Sequence, residues 1–346
     1  MKPKVFFLPE KDRGALLKRL PLLLAQLINE DFKSSAFCGI KVHVGERGNV
    51  TFVPSEFAKA GVEFLKKKKA RPFLFETNTL YHGQRGNAID HLKLAAEHGF
   101  SLEGTGAPLL VADGIRGEAA ARVPAKSGKH IRNAQLASLV PDIPCVVGFS
   151  HFKGHMLSGF GGSIKNFSMG CAARGGKLEM HSLSKPKIDI SKCTRCGECQ
   201  RRCPAEAIVK KTEDFVIVQK KCTGCAGCIG VCPVKAVKFK WNEASESASE
   251  KMAEYALAAL SGKDAFFVNF LISISPECDC WGERMKLIHE DIGALASRDP
   301  VALDQACFDM VADEIRKAHR DVDPEVQLAH AEHIGLGKRN YKLEEL

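Results

Sequence analysis

The chain has 346 residues, of which 45% are hydrophobic and 26% are charged. These values are typical of globular proteins, so they exclude a disordered chain and a membrane-embedded one. The formal net charge of +9 is too small to require nucleic acid or an acidic partner, which leaves the 14 cysteines as the unusual feature of the composition.

The apolar run at residues 21–28 is too short to cross a bilayer, which needs about 20 apolar residues. Asn29, Glu30 and Asp31 follow it, without the small-residue cleavage pattern of a secretory signal. We therefore expect a soluble cytoplasmic protein without membrane insertion. In that reducing compartment, closely spaced cysteines more often bind metal or perform redox chemistry than form structural disulfides.

Up to about residue 180, short apolar segments alternate with longer helical patterns, which is typical of an α/β fold. The predicted strands lie at residues 5–8, 40–44, 73–75, 109–112 and 146–149. The predicted helices lie at residues 14–28, 55–69, 87–98 and 129–139, and Ser55 is expected to cap the second of them.

The character of the chain changes after Lys185, where a short segment contains eight of the 14 cysteines. Residues 242–250 then read as a linker or the start of a helix, and α/β character resumes. A helix is predicted at 251–260, a strand at 266–274, and a helix at 300–317 with Asp299 as its N-cap. The pattern predicts a discontinuous α/β domain, residues 1–183 and 242–346, interrupted by a small insert at residues 184–241.

The insert contains two copies of the spacing C-x2-C-x2-C-x3-C-P, and Cys222 follows Cys193 by 29 residues. Soft thiolate ligands suit iron and sulfide, and the tandem run of four differs from zinc modules, which pair their cysteines in twos. The segment resembles the two-cluster ferredoxin domain of bacteria, an α+β fold. In that pattern three thiolates of each run bind one [4Fe-4S] cluster and the fourth binds the other. The resemblance implies one cluster on Cys193, Cys196, Cys199 and Cys232, and a second on Cys222, Cys225, Cys228 and Cys203.

Several segments outside the insert resemble a second family, that of domain of unknown function 362, in its iron-sulfur center protein branch. They are ETNTLYHG at 76–83, RGNAIDH at 85–91, SHFKGH at 150–155, GGSIKN at 161–166, CDCW at 278–281 and DPVALD at 299–304. This resemblance implies a ferredoxin module inside a larger domain, and it implies no settled reaction, so the function has to be argued from the site.

The first candidate site is formed by His151, Lys153 and His155, directly after a predicted strand. On a helix the two histidines would share one face and could bind a metal, although Gly154 weakens that helix and a hydrogen-bonding or substrate-binding pair is the alternative.

The second candidate site is the glycine-rich run that contains Gly161, Gly162, Lys165 and Asn166. Glycines before a helix leave backbone amides free for a phosphate or carboxylate, and Lys165 would add a positive charge. The run lacks the Walker spacing, so a structural turn is the alternative to an anionic ligand.

The third candidate site is the pair Cys278 and Cys280, in a loop after the strand that ends near Ile274. A loop can direct both thiols toward one additional metal or leave them as a redox pair. Glu76, Asn78 and His82 follow another strand and are possible contacts in the same crevice. The isolated cysteines are expected to be packing residues: Cys38, Cys145, Cys171 and Cys307.

Two functions fit these patterns. The first is an oxidoreductase that relays electrons through two [4Fe-4S] clusters to a small-molecule substrate in the α/β domain. The second is a non-catalytic electron-transfer or metal-delivery protein that docks on a redox partner protein. Its docking patch would use the basic residues of the insert, namely Lys192, Arg195, Arg201, Arg202, Lys210, Lys211, Lys220 and Lys221. Nucleic-acid binding is disfavoured because no aromatic stacking motif accompanies these charges.

Overall fold

The computed structural model describes residues 2–28, 37–81, 83–182, 185–240 and 244–346. Its strands are β1 (Lys4–Pro9), β2 (Phe37–Lys41), β3 (Arg71–Glu76), β4 (Leu109–Val111), β5 (Ala120–Pro124), β6 (Asn133–Ala137), β7 (Cys145–His151), β8 (Lys153–His155), β9 (Gly159–Gly161), β10 (Lys187–Ile188), β11 (Ile208–Lys211), β12 (Asp214–Ile217), β13 (Val237–Lys238), β14 (Asp264–Leu271), β15 (Gly293–Ser297) and β16 (Lys342–Glu345).

Its helices are α1 (Arg13–Leu27), α2 (Ser55–Lys67), α3 (Ala88–Glu97), α4 (Leu102–Thr105), α5 (Ser163–Ser168), α6 (Arg174–His181), α7 (Glu198–Arg201), α8 (Gly227–Val231), α9 (Ser245–Leu260), α10 (Pro300–Ala318) and α11 (Glu325–His333). None of the described helices is long and apolar enough to cross a membrane.

An eight-stranded sheet forms the centre of the fold, in the order β16-β1-β15-β14-β7-β2-β3-β4. Strand β15 runs antiparallel to both of its neighbours, and all other pairs in this sheet are parallel. The predicted α/β class is therefore confirmed.

The sheet is buried on both faces, which explains why its strands read as short apolar runs instead of alternating patterns. All seven residues of β7 are buried. Val147 and Phe149 belong to the core that α1 and α2 cover, whereas Val146 belongs to the opposite core, which α9 and α10 cover.

Two local predictions are wrong. The helix expected at 129–139 is replaced by β6, because the Glu254 carboxylate accepts hydrogen bonds from the backbone amides of Lys129, His130 and Ile131 and so holds the chain outside a helix. Ser55 does not cap α2, whose N-cap position is Pro54 without a side-chain hydrogen bond.

The N-cap prediction for α10 agrees with the structure. The Asp299 carboxylate accepts hydrogen bonds from the amides of Val301 and Ala302, and Pro300 occupies the first turn.

The cysteine-rich segment contains two small antiparallel pairs, β10 with β13 and β11 with β12, and the short helices α7 and α8. Its small hydrophobic cluster includes Ile208, Phe215 and Ile229, together with Leu80 and Leu178 from the larger part of the chain. The domain boundaries stay predictions, because residues 183, 184, 241 and 242 lie outside the described part of the chain.

Candidate functional site

Buried polar side chains collect at one edge of the central sheet. Strands β2, β3, β7 and β14 run parallel to one another, so their carboxyl ends meet there. In open α/β sheets this edge is where ligands bind. The residues that follow these strands are His43 after β2, Asn78 after β3, Lys153 after β7 and the loop with Cys278 and Cys280 after β14.

The structure brings the two cysteines of that loop together. Their Sγ atoms are 3.0 Å apart, and a turn with a 3.0 Å hydrogen bond from the Trp281 amide to the Cys278 carbonyl holds them in place. Cys278 is buried and Cys280 is half-buried. The Lys165 Nζ lies 3.3 Å from the Cys278 Sγ, and the His43 Nε2 lies 3.4 Å from the Cys280 Sγ.

Asp279, between the two cysteines, anchors the loop to the sheet. Its carboxylate oxygens each lie 2.9 Å from the His151 Nδ1, and one of them accepts a 2.8 Å hydrogen bond from the Thr51 hydroxyl. The His151 Nε2 donates to the Ile272 carbonyl at 2.8 Å. Since a carboxylate and a carbonyl only accept, both ring nitrogens of His151 act as donors.

The charge around Asp279 explains why it stays ionised. Burial would raise the pKa of its carboxyl group, but the positive charges of His151 and Lys153 hold that pKa far below its usual value. His151 therefore positions Asp279, and its ring nitrogens are not free for a metal.

The environment of Cys280 favours its thiolate. The hydrogen bond from the Cys278 thiol, and the charges of Arg85 and His43, outweigh burial and hold the pKa of Cys280 well below its usual value. The same hydrogen bond and burial raise the pKa of Cys278. Arg85 also donates a 2.9 Å hydrogen bond to the Tyr81 hydroxyl.

His151 and His155 do not lie on a helix, as the sequence suggested, but at the ends of β7 and β8. The His155 Nδ1 is 2.9 Å from the Ser158 Oγ, and burial, followed by the charge of Lys165, lowers the pKa of His155 well below its usual value. The helical metal pair is therefore wrong, and both histidines form hydrogen bonds within the chain, in line with the alternative that the sequence left open. Within the described residues, the side chains whose ligand atoms all lie within 4.8 Å are instead His43, Cys278 and Cys280.

The glycine-rich run does not leave its backbone amides free for a ligand. The Asp304 carboxylate accepts hydrogen bonds from the amides of Ser163 and Ile164, at 2.7 and 2.9 Å. A Cβ atom at Gly162 would lie 2.4 Å from the Asp304 Oδ1, so glycine permits this close approach. The expectation that the run of Gly161 and Gly162 offers free amides to an external anion is wrong at Ser163 and Ile164, whose amides are occupied by an aspartate of the same chain.

The two polar residues of that run have other roles. Lys165 is directed toward Cys278, and the Asn166 amide donates to the Phe149 carbonyl at 3.2 Å and to the Ser150 hydroxyl at 3.0 Å.

Glu76 and Asn78 support the loop that follows β3. The Glu76 carboxylate is 2.7 Å from the Lys41 Nζ, and although burial opposes it, the charge of Lys41 helps to lower the pKa of Glu76 to about 2. The Asn78 side chain donates a 2.8 Å hydrogen bond to Asp113. His82, the third suggested contact, lies outside the described residues.

Sequence reasoning missed three residues of the site, namely His43, Tyr81 and Arg85. His43 lay inside the predicted strand at 40–44, whereas the observed β2 ends at Lys41, so His43 stands beyond the strand where a functional residue is expected. Tyr81 and Arg85 lie in segments that carried the family resemblance, but no spacing rule marked them.

The two cysteine runs of the insert adopt the same local geometry. Left-handed φ values occur at Arg195 and Gly224, at Gly197 and Ala226, and at Glu206 and Lys235, each pair separated by 29 residues. The amides of Ala207 and Ala236 donate to the sulfurs of Cys203 and Cys232, at 3.2 and 3.1 Å.

Thiols of the two runs also lie close to one another. One small cavity is lined by Cys193, Cys196, Cys199 and Cys232. In the second group, burial and then the negative charges of Cys225 and Cys222 raise the pKa of Cys228.

Helix α6 connects the insert with the sheet edge. A Cβ atom at Gly175, in its first turn, would lie 3.1 Å from the Cys225 Cα. At the other end of the helix, burial and the charge of Lys165 lower the pKa of His181 to about 3, and the charge of Cys280 opposes them. The α6 helix thus contacts one cysteine run and ends near the Cys278 and Cys280 pair.

These features define a class: an α/β protein with an iron-sulfur-related cysteine segment. The chain belongs to the DUF362 family, because the family model described as "Domain of unknown function (DUF362)" matches residues 39–309.

Among curated proteins, the chain is similar to a "Ferredoxin-like protein in nif region" of Sinorhizobium fredii. The two are 51% identical over 35 residues, which is 10% of this chain and 55% of that protein. The chain thus matches about half the length of this relative.

Two solved structures are similar over most of this chain at low identity. One is a Thermotoga maritima protein, at 9% identity and a TM-score of 0.45, covering 89% of this chain and 61% of that one. The other is the lactate racemase apoprotein of Thermoanaerobacterium thermosaccharolyticum, at 12% identity and a TM-score of 0.44, covering 88% and 56%.

Proposed function

We propose that this protein is an iron-sulfur oxidoreductase whose insert holds two [4Fe-4S] clusters and delivers electrons to the Cys278 and Cys280 site. The observation that carries the proposal is the packing of the Cys225 loop against the first turn of α6, whose last turn lies near that site. The eight residues of α6 span only about 12 Å at 1.5 Å per residue.

The donor set of the insert fits two clusters. The first would be held by Cys193, Cys196, Cys199 and Cys232, and the second by Cys222, Cys225, Cys228 and Cys203. Soft thiolates with amide-to-sulfur hydrogen bonds are the ligands that iron-sulfur clusters prefer. When bound, each cluster would supply one-electron transfer. The 35-residue match to a ferredoxin-like protein supports this assignment.

The residues at the sheet edge would position the reacting groups. Asp279, fixed by His151 and Thr51, holds the loop that carries both cysteines. The Lys165 ammonium group, 3.3 Å from the Cys278 Sγ, can deliver a proton there. Burial of His155 keeps its ring neutral, so it would bind a substrate by hydrogen bonding instead of by charge.

A redox partner protein would supply the electrons at the exposed side of the insert. Cys196 is exposed there, which brings the first cluster close to the surface. The basic residues proposed for docking are exposed, but several already face acidic groups, as in the pairs Arg195 with Asp214 and Arg201 with Glu198. This pairing weakens the case for a purely docking protein, and the buried polar site favours catalysis.

The test is the cofactor content of protein purified without oxygen. We expect about eight iron and eight sulfide per chain, with a paramagnetic signal after reduction by dithionite. Cys225→Ser should lose about half of the iron, whereas Cys171→Ser, a buried cysteine outside the insert, should retain it all. Bound zinc, or colourless protein without iron, would contradict the proposal.

A further inference from the structure

We propose that Cys278 and Cys280 are a redox-active pair that cycles between a disulfide and a dithiol and receives its two electrons from the insert. This inference rests on the proposed function and names the electron acceptor of the same site.

The geometry of the pair is asymmetric in the way that thiol-disulfide chemistry requires. The two Sγ atoms lie 3.0 Å apart, so a small rotation of either side chain brings them to bonding distance. Cys280 is half-buried and accessible to a substrate, whereas Cys278 is buried behind it. The Asp279 anchor keeps the loop in place while the bond between its neighbours forms and breaks.

The surroundings favour sulfur chemistry over a bound metal ion. The Gly45 amide lies 3.1 Å from the His43 Nδ1, so that ring nitrogen is engaged within the chain. The other ring nitrogen, Nε2, is the one that lies toward Cys280. Arg85 Nη1 lies 3.0 Å from the same nitrogen, and the Lys165 ammonium group contacts Cys278. These cations stabilise a thiolate and would repel a metal cation.

The electron count of the pair matches that of the insert. Reduction breaks the bond between the two sulfurs and takes up two electrons and one proton. It leaves Cys278 as a thiol, protonated from Lys165, and Cys280 as a thiolate. Each reduced cluster gives up one electron and returns to its oxidised state, so two clusters supply one full reduction. The two clusters, each a one-electron carrier, would thereby produce a dithiol that can donate two electrons.

The experiment is a reductive titration of the oxidised holoprotein with dithionite, without oxygen. Because Cys38 and Cys145 are also close, with their Sγ atoms 2.6 Å apart, the deciding quantity is a difference between variants. We expect Cys278→Ser to take up about two electrons fewer per chain than the wild type. Cys171→Ser, the matched control, should take up as many as the wild type.

Mass spectrometry identifies the bond directly. The oxidised protein and the dithionite-reduced protein are each alkylated in denaturant. The peptide with Cys278 and Cys280 should carry no alkyl group in the oxidised sample and two alkyl groups in the reduced sample. Cys225→Ser should slow this conversion. If Cys278→Ser does not fold, Cys280→Ser at the half-buried position gives the same electron count.

Each outcome separates this inference from the proposed function. If the clusters accept electrons but the wild type and Cys278→Ser take up the same number of electrons per chain, the redox pair is overturned and the iron-sulfur function stays intact. A metal ion that is lost in Cys278→Ser would also overturn it. Absence of iron from the wild type would overturn the proposed function itself.

Discussion

Four buried cations, on Lys41, Arg85, Lys153 and Lys165, surround the sheet edge, and each has an anionic or thiol neighbour. Lys41 is 2.7 Å from Glu76, Arg85 is 3.3 Å from Glu46, Lys153 is 3.7 Å from Asp279, and Lys165 contacts Cys278. Buried charges are tolerated only when they are paired, so these contacts keep the site folded as well as charged.

The first prediction concerns the reactivity of Cys280 in the reduced protein. Its pKa is lowered, so the thiolate is present above that lowered value and is lost only as the pH falls through it. Alkylation of Cys280 by iodoacetamide should therefore stay fast at neutral pH, where an ordinary thiol of pKa about 8.5 slows about tenfold per pH unit.

Cys278→Ala is the comparison for that measurement. It removes the hydrogen bond that contributes most to the low pKa, so the pH at which alkylation of Cys280 slows should rise. Peptide mapping of the label as a function of pH checks this, and an unchanged profile in Cys278→Ala would contradict it.

The second prediction concerns Asp304, which holds the start of α5. Asp304→Asn replaces one of two accepting oxygens with a donor that faces a backbone amide, so we expect a loss of about 2–3 kcal/mol in the free energy of unfolding. Chemical denaturation measures the loss. Asp313→Asn, on the exposed face of α10, which also carries Asp304, should cost less than 1 kcal/mol, or about the value of a surface substitution.

These residues also show where sequence reasoning stops. The proximity of Cys278 and His151 could be predicted in outline, because β7 ends at His151 and the Cys278 loop follows β14, which runs parallel to β7. The hydrogen-bond partners at this edge could not be predicted. Asp304 is distant in sequence from Ser163, and only the packing of α10 on α5 brings its carboxylate to the amides that were expected to bind an external anion.

At the scale of elements, α6 has two faces with different tasks. Leu178 joins the small hydrophobic cluster of the insert, whereas Met180 belongs to the main core. The helix therefore contacts both the cysteine-rich segment and the main core, through different side chains.

The third prediction uses that difference. Leu178→Ala should weaken the attachment of the insert, and a buried leucine typically costs 2–5 kcal/mol when truncated. Limited proteolysis should then cut between residues 185 and 240 faster than in the wild type. Met180→Ala, two residues further on, should lower the stability of the main core without faster cleavage in the insert. Equal cleavage in both variants would show that Leu178 does not hold the insert.

The strands of the central sheet were easier to predict than its surroundings. Segments such as 73–75 and 146–149 are apolar because both faces of the sheet are covered, and this pattern is local. The segment of β6 carries a helical sequence pattern, but its conformation depends on Glu254, which lies more than a hundred residues away in the sequence.

At the scale of the whole molecule, the two parts of the chain differ in how much core they have. The large domain has two extensive hydrophobic cores, one on each face of the sheet. The insert has a small cluster and two-stranded sheets, which are marginal without further support.

The fourth prediction follows from that difference. Removal of iron by a chelator should unfold the insert and leave the central sheet intact, since bound clusters would supply much of the folding free energy of so small a unit. Hydrogen exchange should show lost protection at residues 208–217 and retained protection at 145–151. A cooperative collapse of both regions would show that the large domain depends on the clusters.

The hydrogen bond from the Lys251 Nζ to the Glu179 carbonyl, 3.0 Å long, joins the helices on either side of the insert. Helices α6 and α9 thus contact each other directly, although the cysteine-rich segment separates them in the chain. A variant in which a synthetic loop joins α6 to α9 in place of that segment would keep this contact. Such a miniaturised protein offers a direct way to examine the scaffold alone.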